Sequence, residues 1–272
     1  MENSFLIADD VTGIPGLELQ ALFEELLRFL MSSFRLAGLY ATAPFFGATS
    51  IPVQVRVVAT MITSFVIYMN VDIPNVQDIP AAILLGVVGQ ELLLGVSAGL
   101  VLTIIFAAAV LAGEKIAASS GLGFAAQVDP NSGGQTPVIS QFLSLFLLVT
   151  FLTLNGHLEV IAMIFASYEA IPVGAGFDQS ILVSEGIDAG STLFAVASVI
   201  MMPLVVTLLL ANIVVGVVTR SAPQLNLFSF GFPLTIMIAF VGLYFSVVPT
   251  AFAFRDMVDT MLAPVARILM VN

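Results

Sequence analysis

Cysteine is absent from the 272-residue chain, which removes disulfides, thiol catalysis and cysteine metal sites together. Charge is scarce as well. Asp, Glu, Lys and Arg make up only 9% of the residues, against about 25% in soluble domains, so this set cannot build a water-facing surface. Cations are the rarer sign: Lys and Arg number 7 and Asp and Glu 18, for a net charge of −11. Nucleic acid is thereby excluded as a partner, because its recognition needs basic patches. No cation precedes Arg28, whereas Glu2, Asp9 and Asp10 do; without a basic n-region, a cleaved signal peptide is not expected. Neither a Walker-type phosphate loop nor an HExxH motif nor a nucleophile elbow occurs. His157 is the only histidine, with no cysteine or second histidine to pair with, and is expected to be a hydrogen-bonded structural residue rather than a general base. No catalytic, cofactor-binding or metal-binding residue is expected.

Apolar sequence is what the chain does have. Hydrophobic residues reach 59% and the mean hydropathy is +1.11, in long runs separated by short polar turns. A bilayer is the solvent such a chain fits. Within it an unpaired backbone group costs several kcal/mol, so the spans are helices or a closed barrel. Runs such as Leu143–Leu152 are apolar on every side and do not alternate as barrel strands would. The fold class expected is therefore all-α: a polytopic helical membrane protein of about six hydrophobic helical segments arranged as hairpins, in a single domain over 1–272. The segments run over roughly Leu17–Phe46, Val53–Val71, Pro80–Ala118, Val138–Ala170, Ala189–Val218 and Phe230–Phe254. The tail to Asn272, with Pro264, is expected to form a short surface helix. About 20 residues cross a bilayer core, so the third segment must tilt, break near Gly113 or project beyond the membrane. Pro203 and Pro249 are expected to kink the fifth and sixth.

Polar residues inside these segments are few and therefore informative. At 100° per residue, Glu24, Arg28, Ser32 and Arg35 fall on one stripe of the first segment. A charge at mid-bilayer costs about 2.5–3.5 kcal/mol on insertion scales, so the stripe is expected to face protein, either within the chain or in a partner, or water. Glu91 is the most deeply embedded acid. It suggests a proton or ion path, or else an Arg partner on a neighbouring helix or subunit. Gly95 with Gly99, and Ala117 with Gly121, are small-residue pairs that fit ordinary packing inside a helical bundle. Cations near the first, third and fifth turns (Arg35, Arg56, Lys115, Arg220), against acids alone in the second and fourth, predict that the odd turns face the cytoplasm. Arg255 and Arg267 count the other way.

The turn at 121–137 is unusual. Gly121, Gly123, Gly133 and Gly134 permit positive φ, Pro130 and Pro137 interrupt helix, and Asp129-Pro130-Asn131-Ser132 is turn chemistry. Leu122, Phe124 and Val128 are nevertheless apolar, which suits a loop re-entering at membrane depth or lining a pore.

At this point the chain resembles a known family, the flagellar biosynthetic protein FliR and its virulence-secretion counterparts in the type III export gate. The resemblance rests on Arg35 with Ala43-Pro44-Phe45-Phe46-Gly47 and Pro52, on Gln90-Glu91-Leu92-Leu93-Leu94-Gly95, and on Gly121-Leu122-Gly123-Phe124 with Val128-Asp129-Pro130. It continues through Phe151 to His157 and Arg220 to Pro233. These matches keep their order and spacing over most of the chain, and the pattern looks like the flagellar branch. The acidic extension up to about Gly16 is not part of the resemblance.

What the resemblance implies is a non-enzymatic subunit without cofactors. Members of the family assemble with the P and Q export-gate membrane proteins, work beside the B and A export components, and together form an inner-membrane pore for unfolded flagellar subunits at the basal body. The implied pore plug is the third turn, with Gly121, Leu122, Gly123, Phe124, Val128, Asp129 and Pro130. Glu24, Arg28, Arg35, Glu91 and Arg220 become intramembrane polar or partner contacts. The family's assembly stands partly above the bilayer, which would explain the over-long third segment. The competing reading, a proton-coupled secondary transporter using Glu91 or Glu159, is expected to show an internal repeat, and no convincing repeat is found.

Overall fold

The computed structural model describes residues 19–47, 51–71, 73–74, 80–122, 137–222, 224 and 230–270. Among these lie seven helices: α1 (Leu19–Thr42), α2 (Val53–Asn70), α3 (Ala81–Ser120), α4 (Val138–Thr153), α5 (Gly156–Ala170), α6 (Ser180–Ser221) and α7 (Phe232–Met270). Their boundaries follow from local chemistry. Pro52, Pro80 and Pro137, each extended with ψ between 132° and 144°, immediately precede α2, α3 and α4. Proline suits a helix start because no donor is needed there. Gly121, left-handed at φ 85°, closes α3, as a glycine cap does without strain. Before α6, the Asp178 carboxylate accepts the Ser180 backbone N–H at 2.9 Å, and its hydrogen bonds with Ser180 hold that carboxyl below the usual carboxylate range.

α3 is the central spine, packed against α1, α4, α6 and α7. That position explains a helix that is apolar on all sides: Leu94, Ala98, Leu102, Ile105, Ala109, Ala112 and Ile116 are all buried. The expected membrane class holds, and several boundaries differ from expectation. α3 does not break at Gly113. A Cβ there would lie 2.4 Å from the Ser140 Cα, so this glycine serves the α3–α4 contact. The fourth segment is not one helix but two, bent by 61° at Asn155, which is left-handed at φ 59°. The fifth starts nine residues earlier than Ala189, at Ser180. The C-terminal tail is not a surface helix; it continues α7, and Met257, Met261, Val265, Ile268 and Leu269 are buried in the core. By length and hydropathy α2, α3, α6 and α7 can cross a membrane, and α4 with α5 makes a fifth, bent candidate.

Contacts to α3 fix the height of each neighbouring helix along a rod of 40 residues, about 60 Å at 1.5 Å per residue. Near its start, Gly174 meets Val87 and Arg35 meets Glu91. At Thr103 the end of α1 is reached, Thr103 Oγ1 donating to Thr42 O at 2.6 Å. At its last turn Asn212 donates to Ser119 O and Thr235 to Ser120 O, both at 2.9 Å. The third and fifth turns thus share one end, the second and fourth the other, and the first turn sits near mid-height.

The bundle therefore has two tiers. The lower tier comprises α4, the end of α3, the second half of α6 and the first half of α7, and spans about 27 Å of helix, close to the ~30 Å of a hydrocarbon core. Among the described charged residues only Glu114, Lys115 and Arg220 belong to it. The others lie in the upper tier, with α1, α2 and α5.

Candidate functional site

Close backbone approach comes first. α1 lies so tightly on α3 that a Cβ on Gly95 would fall 1.9 Å from the Arg35 carbonyl oxygen, one on Gly38 2.7 Å from Leu92 O, and one on Gly99 2.1 Å from Thr42 Oγ1. Only glycine allows such contact. At that separation the Arg35 side chain reaches Glu91, one turn above Gly95 on α3.

Arg35 is fully buried and Glu91 is 2% exposed. The guanidinium grips the carboxylate bidentately, Nε to Oε2 at 2.9 Å and Nη2 to Oε1 at 3.1 Å. Its other face is satisfied by Ser167 Oγ at 2.7 Å from Nη1 and by the Ile171 carbonyl at 2.9 Å from Nη2. The Tyr168 ring stacks on it, 4.2 Å from Cζ to the centroid, and Tyr168 Oη donates to Ser32 O at 2.8 Å. One cation thus ties α1, α3, α5 and the fourth turn together. A buried pair holds only when its remaining donors and acceptors are met, and here they are.

The rest of the α1 stripe also faces the chain itself. Ser32 is buried, and Arg28 Nε donates to Ile73 O at 3.0 Å; Glu24 is half-buried near the start of α1. Arg220 lies elsewhere, exposed in the last turn of α6. Of the loop residues named from sequence, Gly121 rests against the Phe232 ring and Leu122 against the core. Gly123, Phe124, Val128, Asp129 and Pro130 lie outside the described residues. His157 differs from expectation, since its Nδ1 is buried without a hydrogen-bond partner.

Sequence reasoning missed Ser167, Tyr168 and the pair formed by Glu185 and Arg267. Ser167 and Tyr168 are adjacent polar groups in an apolar helix, a signal available but unread. Glu185 falls between the expected fourth and fifth segments, among the acids of the fourth turn, whereas it is buried on α6. Among the described residues no three His, Asp or Glu side chains converge as a metal site would require.

Long apolar helices around a spine, with the buried charges neutralised inside the bundle, define a multi-pass helical membrane protein. Residues 26–261 match the bacterial export proteins, family 1, and the chain belongs to that family, to which FliR proteins belong. It is 33% identical to the flagellar biosynthetic protein FliR of Escherichia coli (strain K12) over 81% of this chain and 85% of that one. It is 34% identical to the FliR of Aquifex aeolicus (strain VF5), over 82% and 86%. The surface presentation of antigens protein SpaR of Shigella flexneri is 28% identical over 76% and 79%.

Proposed function

We propose that this chain is a structural and pore-forming subunit of the flagellar type III protein export gate. In this reading it sits in the inner membrane at the basal body, in complex with the P and Q membrane components and beside the B and A export components. It has no enzymatic activity and passes unfolded flagellar subunits. The observation that carries the reading is the family match across both tiers, joined to the state of the buried charges. Among the described residues the buried charged side chains are Arg35, Glu91 and Glu185, and each is held in an ion pair. A transporter needs an intramembrane carboxylate able to exchange its proton; Glu91 is locked by an arginine.

An assembled subunit also accounts for α2. Val55, Val58, Met61, Ile62, Phe65 and Met69 are 52–67% exposed yet stand at the height of the charged tier. If the apolar lower tier is the membrane slab, that face needs protein against it. The loop at 121–137 serves in this reading as the pore plug, with Phe124 as its apolar seal, blocking ions by dewetting a constriction. Deleting residues 124–131 tests it. Complex recovery with the P and Q components should be retained while ion leak rises and growth slows. Normal assembly without added conductance would refute the plug, as would loss of the complex without leak, the mark of a purely structural loop. Failure of the undeleted chain to co-purify with either component would refute the subunit assignment.

A further inference from the structure

The interruptions of the helices fall within one band around the middle of α3. The turn after α1 ends there, with Phe45 5.3 Å from the Phe151 ring, and Phe106 of α3 is also 5.3 Å from Phe151. Two residues past α4 the chain turns by 61° at Asn155. Phe146 and Phe254 bring α7 to the same level at 5.4 Å, and Pro249 lies one turn away from Phe254. Pro203 of α6 faces Pro249 across a crevice of about 110 Å³, lined also by Val199, Ile200, Ser246 and Thr250. Among the described residues, α3 alone crosses this plane with neither a break nor a proline.

We propose that the plane is a hinge, with the lower tier pivoting against the upper about α3 while α6 and α7 flex at Pro203 and Pro249. Each proline lacks the N–H that the carbonyl four residues earlier would accept, so the backbones of Val199 and Phe245 each lose a ladder hydrogen bond. Helices bend where that ladder is interrupted. The crevice leaves room for the movement, and it adjoins a second, of about 190 Å³, that shares Pro203 and Ser246. Each tier is tied within itself by polar contacts. Above, the ties are Arg35 with Glu91 and Glu185 with Arg267; below, they are Asn212 with Ser119 and Thr235 with Ser120. At the plane the contacts are largely aromatic edges, which slide without breaking hydrogen bonds; Thr103 on Thr42 O and Thr42 on Val96 O are polar exceptions.

The inference stands on packing and does not depend on the proposed function. It is tested by spin-label distance measurement on the full chain, purified with its co-expressed partners in lipid nanodiscs. This chain has no native cysteine and adds no background labelling of its own; the same sample without introduced cysteines corrects for any label taken up by the partners. One pair, Asp188→Cys with Val217→Cys, spans Pro203 along α6; another, Val217→Cys with Val248→Cys, lies wholly in the lower tier. The first distance distribution should be at least about twofold broader than the second. Pro203→Ala with Pro249→Ala should narrow it to the lower-tier width, since alanine restores the backbone donors. A native distribution across Pro203 no broader than the lower-tier one would overturn the hinge. So would an unchanged width in the alanine variant. The native comparison decides the matter even if that variant fails to accumulate.

Discussion

Arg267 of α7 grips Glu185 of α6 through both carboxylate oxygens, Nε at 2.6 Å and Nη2 at 2.7 Å, at the height where Arg35 grips Glu91. The two pairs differ in surroundings: Arg267 is 49% exposed and Glu185 8%, whereas the inner pair is sealed.

For the outer pair solvent screens the interaction, so Arg267→Ala should lower stability by only about 1 kcal/mol. Its local effect should be larger, because Glu185 is left buried and the last turns of α7 lose their tether. Hydrogen exchange should rise over Leu262–Met270 while α4 stays protected. Uniform exchange across both would contradict this.

The inner pair should be far less forgiving. Arg35→Ala or Glu91→Ala strands an uncompensated buried charge, worth about 3–5 kcal/mol, and protein levels in membranes should collapse. Replacing both, Arg35→Met with Glu91→Leu, removes the stranded charge and should restore accumulation. A double variant that accumulates and supports export would confirm a structural role for the pair. One that accumulates but exports nothing would give the pair a role beyond holding the fold.

Two glycines on α3 should behave in opposite ways. Gly95→Ala places a methyl 1.9 Å from Arg35 O, so α1 must move away and the folded protein should be lost. A Cβ on Gly86 meets nothing within 4 Å, and Gly86→Ala should be neutral or stabilise by up to about 1 kcal/mol. Membrane accumulation separates the two, and thermal denaturation of the detergent-solubilised Gly86→Ala complex measures the second effect.

Orientation can be read with single cysteines. Val183 lies at the end carrying the fourth turn and is 65% exposed, and Gln224 lies in the fifth turn. The first turn, at mid-height, takes no part in the expected alternation. With the third and fifth turns cytoplasmic, Val183→Cys should react with an impermeant maleimide in intact cells and Gln224→Cys only after permeabilisation. The reverse pattern would invert the molecule.

Much of this architecture was legible because hydropathy and proline act locally. Helix starts at Val53, Ala81 and Val138 each follow a proline, and the close-packing role of Gly95 and Gly99 follows from their spacing. What was not legible depended on tertiary context. Asn155 breaks a continuous apolar run through a left-handed backbone. Asn155-Gly156 is a turn signal, but the bend is set by packing, since a Cβ on Gly156 would lie 2.4 Å from the Phe151 ring. The stretch from Ser180 to Asp188 looks polar enough for a turn, yet it is helical because Glu185 finds Arg267 82 residues away. The C-terminal tail reads as amphipathic surface, but its apolar side is covered by α5. Arg35 and Glu91 were each recognisable as buried charges, while their pairing required knowing how α1 crosses α3.

The buried arginine also has a timetable. Arg35 leaves the ribosome 56 residues ahead of Glu91 and 136 ahead of Ile171. At about 5–20 residues per second, the cation waits roughly 3–11 s for its counter-ion and longer for its last acceptor. α1 therefore cannot settle into lipid as an independent stop-transfer segment. It has to be held at the membrane by the insertion machinery or at the aqueous surface until α3 arrives, so the nascent chain is most exposed to membrane proteases before Glu91 has emerged.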